Sequence, residues 1–257
     1  MNKILLPLDT HAHIDTGIAE YDLRQLDAFV FAMTRSIGEF EAVRERRDIR
    51  TVWGLGVHPG LAKANKSFST EAFEEAVNNA AIVGEVGIDG ASRVPIELQI
   101  KTFRSVLEVL QQHPRIVSIH STGAHLRVLR ELHRTPVKGV ILHWWTGGTE
   151  LTEEAVRLDC YFSLPPAMMS KVEILRLIPH NRLLPETDHP YGDRRTLGPR
   201  RPGGVDEVER RLAVLCGFNR LEMRKNLWRN LAQLVQYVGV LERFPMEWQA
   251  VFRQFER

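Results

Sequence analysis

Six residues able to bind a metal ion each close an apolar run. His11 and His13 end Ile4-Leu-Leu-Pro-Leu-Asp-Thr, Glu85 ends Ala80-Ala-Ile-Val-Gly, and His120 ends Ile116-Val-Ser-Ile. His143 ends Val140-Ile-Leu, and Asp188 follows Leu183-Leu-Pro-Glu-Thr. A single histidine in such a place is more often a core or surface residue than a ligand. Four imidazoles and two carboxylates, all at the ends of β-prone runs, imply a shared geometry. Alternate side chains of a strand share a face, so His11 and His13 point the same way and can hold one ion together. A carboxylate has two oxygens, which makes Glu85 the best bridge to a second ion held by His120 and His143. Asp188 would hold the first ion and take a proton from the attacking water. Two ions a few ångströms apart acidify a bound water and stabilise the entering and leaving oxygens of an in-line displacement. Imidazole with carboxylate suits Zn or Mn, and carboxylate with water suits Mg. Glu85 lies inside Ile82-Val-Gly-Glu-Val-Gly-Ile, where an unpaired carboxylate would be costly to bury. The flanking Gly84 and Gly87 let backbone or ligand come close.

Elements must exist that bring these residues together. Eight apolar runs begin near Ile4, Ala28, Thr51, Ala80, Arg115, Lys138, Cys160 and Arg182. Their spacing, about 20 to 35 residues, is that of one strand plus one helix. Between them lie helical patterns: Glu97 to Gln112 carries Leu98, Phe103, Val106, Leu107 and Leu110 on one stripe, and Glu71 to Asn79 follows the caps Ser69 or Thr70. Alternation throughout predicts a parallel sheet, and eight repeats predict a closed (β/α)8 barrel of α/β class. The ligands would then meet at the C-terminal mouth, where barrel enzymes keep their chemistry.

A length of 257 residues suits one such barrel, with no linker that would split it into domains. The net charge of +2 gives no global nucleic-acid signal, although a local basic patch can exist without one. Cys160 and Cys216 are too few for a disulfide framework and are expected to be reduced in a cytoplasmic protein. No stretch is apolar enough to span a membrane, and the run from Ile4 to Leu8 is too short, and too close to the His pair, to be a signal peptide.

Several blocks carry a family resemblance. Leu8-Asp-Thr-His-Ala-His-Ile-Asp, Gly56-Val-His-Pro, Gly84-Glu-Val-Gly-Ile-Asp, Ile119-His-Ser, Leu142-His-Trp-Trp-Thr-Gly and Glu186-Thr-Asp-His-Pro-Tyr resemble, in order, the signature blocks of the TatD family of metal-dependent deoxyribonucleases. Gln99, Phe103 and Asn230 also match, and the resemblance covers roughly residues 3 to 236. It implies a TIM-type barrel, two or three divalent ions (Mg, Mn or Zn) and hydrolysis of phosphodiester bonds in DNA. It implies His11, His13, Glu85, His120, His143 and Asp188 as metal ligands, with His58 near the metals or the scissile phosphate. Glu85, Asp188 and His58 are thus the expected catalytic residues. The chain departs from the family pattern at Thr122, where Arg is usual, at Trp144-Trp145 after His143, and at Arg200-Arg-Pro-Gly-Gly. The segment between His13 and the second strand is also short.

The departures fall where substrate would bind. Arg194, Arg195, Arg200 and Arg201 occupy one Gly/Pro-rich loop after the last strand. Loops there are common phosphate sites, and Arg pairs with phosphate through two parallel bonds. Of Trp144 and Trp145, adjacent on a strand, one should pack outward and the other, Trp144, could stack on a base. Beyond the family-like core, residues 244–257 carry Trp248, Val251, Phe252 and Phe255 at helical spacing. This tail should pack on its own barrel or offer a docking helix to a protein partner. The expected activity is a metal-dependent exonuclease on single-stranded DNA ends. The rivals are a small-molecule amidohydrolase, lactonase or phosphotriesterase on the same barrel, and a non-catalytic metal-binding scaffold that recognises DNA or a partner.

Overall fold

The computed structural model describes residues 5–194, 196 and 200–256. Eight strands alternate with helices: β1 (Leu8–Ala12), β2 (Phe29–Met33), β3 (Thr51–Leu55), β4 (Ile82–Gly87), β5 (Ile116–His120), β6 (Val140–His143), β7 (Tyr161–Leu164) and β8 (Leu183–Pro185). They form one sheet in sequential order, every neighbouring pair parallel. β8 meets β1 through the Asp188 N–H donating to the His11 carbonyl at 2.9 Å and the His13 N–H to the His189 carbonyl at 2.8 Å. The result is the expected (β/α)8 barrel. β1 starts at Leu8, later than the run from Ile4, because Pro7 has no N–H to give a ladder. The two helices read from the sequence form over Ile96–Gln112 and Thr70–Val77, the second capped by Ser69, whose hydroxyl accepts from the Ala72 N–H. No helix among the described residues is long and apolar enough to cross a membrane.

Two large buried clusters make up most of the core. The outer one joins strand residues such as Val83, Val117, Leu142 and Phe162 to helix residues such as Phe73, Phe103, Leu107 and Val128. The inner one joins Leu8, Phe29, Phe31, Val52, Ile82, Ile116, Ile141, Tyr161 and Leu184 to Trp228, Leu231, Trp248 and Phe252. The C-terminal helices Arg220–Val238 and Met246–Phe252 therefore close the floor of the barrel. Trp248 and Phe252 have no exposed surface, so the stripe that could have docked a partner is turned inward. The physical reason is that the lumen residues of β2 need an apolar cover: Phe31 stacks on Trp248 at 5.1 Å, and Phe29 meets Trp228 edge-on at 5.1 Å.

Strict alternation would fail to aim the ligands. Leu8 and Ile82 face the lumen, and residues three further on would then face outward. In β1 the register shifts between Asp9 and Ala12, where three residues oppose two of β2 (Asp9 with Val30, Ala12 with Ala32). In β4 it shifts between Val83 and Val86, which oppose Val117 and Ile119. Each shift is a bulge that re-aims the side chains beyond it. Leu8, His11 and His13 thus share the lumen face, as do Ile82 and Glu85. Glycine makes the close approach possible. A Cβ on Gly87 would lie 2.1 Å from the His120 carbonyl oxygen, and one on Gly56 would lie 1.8 Å from the Thr34 carbonyl oxygen, which accepts from the Glu85 N–H.

Candidate metal centre

The strand ends converge on a cavity of about 530 Å3 lined by His13, His58, Glu85, His120, His143 and Asp188, with Arg35, Leu61, Asp89, Thr122, Trp144, Thr146 and Tyr191 around them. His11 lies beneath it, fully buried. Glu85 is the hub. Its Oε2 faces His13 Nε2 at 3.2 Å, His58 Nε2 at 3.3 Å and His11 Nε2 at 3.8 Å. Its Oε1 faces His120 Nδ1 at 2.5 Å and His143 Nε2 at 3.0 Å. Asp188 Oδ1 lies 3.6 Å from His13 Nε2 and 3.8 Å from His11 Nε2. One carboxylate oxygen thus addresses the β1 imidazoles and the other the β5–β6 pair.

The donor set fits a divalent cation. His11 Nε2, Glu85 Oε2, His120 Nε2 and Asp188 Oδ1 are buried with no hydrogen-bond partner among the described residues, a costly state unless something binds them. Three groups of ligand atoms lie within reach of one ion: His11, His143 and Asp188; His11, His13 and Glu85; His58, Glu85 and His120. The second nitrogens of the rings sort these candidates. His13 Nδ1 faces the Met33 carbonyl at 3.2 Å. A carbonyl can only accept, so Nδ1 carries the proton and the Nε2 lone pair points at the cluster. His11 Nδ1 is held by the Ser118 hydroxyl at 2.8 Å. His58 is held in the opposite sense, because the Gly60 N–H donates to its Nδ1 at 2.9 Å. Neutral His58 therefore carries its proton on Nε2 and is a hydrogen-bond donor to the site rather than a ligand.

Burial and charge set the protonation. Burial, reinforced by His143, holds His11 well below the usual imidazole range. Burial would also lower His120, but the Glu85 charge and the hydrogen bonds to Asp89 and Glu85 together outweigh it and lift the ring to about 9. His143 is lifted well above its usual range by Glu85 and Glu186, against burial. Burial would raise Glu85, but His58, His143 and His120 hold it well below the carboxylate range. Burial pushes Asp188 up to about 7.

The other residues put forward from the sequence separate. Trp144 lines the cavity, and its backbone N–H donates to Glu186 Oε1 at 2.9 Å. Trp145 packs outward against Phe162, its indole N–H on the Thr152 hydroxyl at 2.8 Å. Arg194 lies over the Tyr191 ring at 5.3 Å. Arg200 is turned to Asp193 at 3.2 Å and to the Pro190 carbonyl at 2.7 Å. Arg201 borders a different hollow, with Leu6, Pro7, Asp27 and Arg220. None of these three arginines lines the cavity, because a Gly/Pro-rich loop has no period to aim side chains and nearby carbonyls, carboxylates and rings hold them instead. Arg195 lies outside the described residues.

Glu186, Asp89 and Tyr191, which the sequence reading carried within its motif blocks but gave no role, stand against the imidazoles. Glu186, fully buried, faces His143 Nδ1 at 3.4 Å and accepts from the Ser163 hydroxyl. Its signal was an acid two positions before Asp188 in an apolar strand. Asp89 Oδ2 lies 3.6 Å from His120 Nε2, and its loop is braced by Gln99, whose side chain accepts from the Asp89 N–H at 2.7 Å. Tyr191 stands edge-on to His13 at 5.8 Å. Residues that orient metal-binding imidazoles are worth roughly 10- to 100-fold in metal affinity. Glu186→Gln should therefore weaken divalent-ion binding by about that factor at unchanged fold, read by calorimetric titration. An unaltered affinity would mean that Glu186 serves only the Trp144 backbone.

A barrel whose mouth gathers four imidazoles and two carboxylates with inward-facing, unpartnered atoms is that of a metal-dependent hydrolase. Residues 8–236 match the family described as TatD-related DNase, and the chain belongs to that family. It is 24% identical over 256 residues to the putative deoxyribonuclease TATDN3 of Mus musculus, covering 88% of this chain and 87% of that protein. It is 28% identical over 165 residues to the 3'-5' ssDNA/RNA exonuclease TatD of Erwinia billingiae, covering 59% of this chain and 62% of that one. Its fold matches the crystal structure of the TatD homologue YJJV from Escherichia coli with a TM-score of 0.79 at 21% identity, over 90% of this chain and 98% of the other.

Proposed function

We propose that the chain hydrolyses phosphodiester bonds of DNA from single-stranded ends, with two divalent ions at the barrel mouth. The observation that carries this reading is the division of the Glu85 oxygens between two groups of imidazoles. His11, His13 and Asp188 would hold one ion, His120 and His143 the other, and Glu85 would bridge them. The mixed imidazole and carboxylate set suits Zn or Mn and leaves Mg within reach. An ion bound there supplies Lewis acidity, neutralising phosphate charge and acidifying the water that it binds. The chain's own groups do the rest. Asp188, buried beside His13, accepts the proton of the attacking water. His58 Nε2–H, fixed by Gly60, donates to a non-bridging phosphate oxygen. Trp144 offers a wall for an unstacked base. A cavity of about 530 Å3 admits a splayed nucleotide rather than a stacked base pair, which supports single-stranded ends.

The test is hydrolysis of an end-labelled single-stranded oligonucleotide with Mg, Mn or Zn. Stepwise shortening is expected in the wild type, and a loss on the order of 10³-fold in Asp188→Asn. No cleavage with any of the metals, although an ion is bound, would sink the nuclease reading in favour of a small-molecule hydrolase on the same barrel.

A further inference from the structure

We propose that Arg35 forms a second phosphate subsite at the mouth, taking the phosphate next to the scissile one. The inference rests on the nuclease reading above. A nucleic-acid strand brings one negative charge per nucleotide, and the ion cluster can neutralise only the phosphate that reacts. The next phosphate needs a cation on the cavity wall. Among the described residues that line the cavity, Arg35 alone carries a positive charge that does not depend on a titrating imidazole.

Its setting is built for the task. Arg35 stands two residues past the end of β2, and its carbonyl accepts from the His58 N–H at 3.0 Å, which ties it to the wall bearing that donor. Its own N–H donates to Glu39 Oε2 at 2.8 Å. Glu39 also grips one edge of the guanidinium, with Nη2 to Oε1 at 3.0 Å and Nε to Oε2 at 3.5 Å. Glu39 sits in the short helix Ile37–Glu41, capped by the Ser36 hydroxyl, which accepts from the Glu39 N–H at 3.1 Å. The grip fixes the planar fork before a ligand arrives, and that lowers the entropy lost on binding. Nη1 has no hydrogen-bond partner among the described residues, and the side chain is 45% exposed, so one edge stays open to an anion. Arg35 makes no ion pair with Glu85, Asp89 or Asp188. Its charge therefore stands apart from the ligand cluster, which assigns it to a neighbouring phosphate rather than to the reacting one. Thr122, on the same cavity, offers a hydroxyl and no charge.

The experiment compares wild type, Arg35→Ala and Arg35→Lys on two substrates under the same metal. One is a single-stranded oligonucleotide. The other is bis(4-nitrophenyl) phosphate, a phosphodiester with no neighbouring phosphate. Loss of one charge-assisted phosphate contact should raise the oligonucleotide KM about tenfold or more with kcat nearly kept. It should also flatten the slope of log(kcat/KM) against log salt by about 0.7, the share of one phosphate on a single strand. Arg35→Lys should keep the slope and recover part of the KM. Hydrolysis of bis(4-nitrophenyl) phosphate should not change in either variant. Unchanged KM and salt slope for the oligonucleotide, with the wild type active on both substrates, would overturn the subsite and leave the nuclease reading intact. Equal losses on both substrates would also overturn it, by placing Arg35 on the scissile phosphate. A wild type inactive on both would overturn the nuclease reading itself, and the subsite with it.

Discussion

Glu85→Ala is expected to remove oligonucleotide hydrolysis, by on the order of 10³-fold or more, together with most of the bound metal. Glu85 is 1% exposed, and its two oxygens are the meeting point of the β1, β5 and β6 imidazoles. Alanine takes away both oxygens and the charge that holds protons on His120 and His143. Those rings then hold their protons less tightly, and the site keeps neither the bridging oxygens nor the negative charge that would draw two cations together. Glu85→Gln keeps the volume and loses the charge, so it separates electrostatics from packing. The check is metal content by mass spectrometry after equilibration and desalting, beside the cleavage assay. Full metal occupancy with full activity in Glu85→Ala would end the bridging assignment. The same cluster fixes the sign of a pH effect. A cation must displace the proton that Glu85 keeps on His120, whose ring titrates at about 9. Ion binding therefore releases protons and weakens as the pH falls below that value.

Trp248→Ala is expected to cost ~3–5 kcal/mol, because a fully buried indole leaves a cavity that its neighbours cannot fill. Trp248 touches Phe29, Phe31, Trp228, Phe244 and Phe252 in one aromatic cluster. A chain of this size should lose on the order of 10 °C in Tm, measured by calorimetry. Removing everything from Leu241 onward is the harsher version. It strips Trp248 and Phe244 from Phe31, and Trp248 from Phe29, and should leave a chain that aggregates or melts without cooperativity. A truncated chain with an unchanged Tm would contradict the floor that the packing describes and revive the docking role of the tail.

The ligands were legible because a strand has a period, and a run of apolar residues states where the strand ends. The mouth of the barrel followed from eight such ends. The bulges in β1 and β4 were not legible: nothing in Asp9-Thr-His-Ala or Val83-Gly-Glu-Val says that three residues will face two. They are set by neighbouring strands, with glycine at 56 and 87 clearing the way. The arginines show the same limit. Arg194, Arg200 and Arg201 stood out as a cluster, yet Tyr191, Asp193 and a separate hollow claim them. Arg35, isolated in the sequence, reaches the cavity because β2 ends there. The tail's spacing was readable as a helix, but which surface its stripe covers depended on how much of the lumen the strands left open below.

The bonds that close the barrel join segments 177 residues apart, from the His11 carbonyl to the Asp188 N–H. The putting-together of the centre therefore waits on a long-range closure, and such pairing is slow. A ribosome-bound chain that has released β1 through β6 already owns five of the six ligands, but not the acid at the end of β8 or the backbone seam that sets His11 and His13. The complete ligand set and the seam that aligns it therefore exist only once β8 has joined β1.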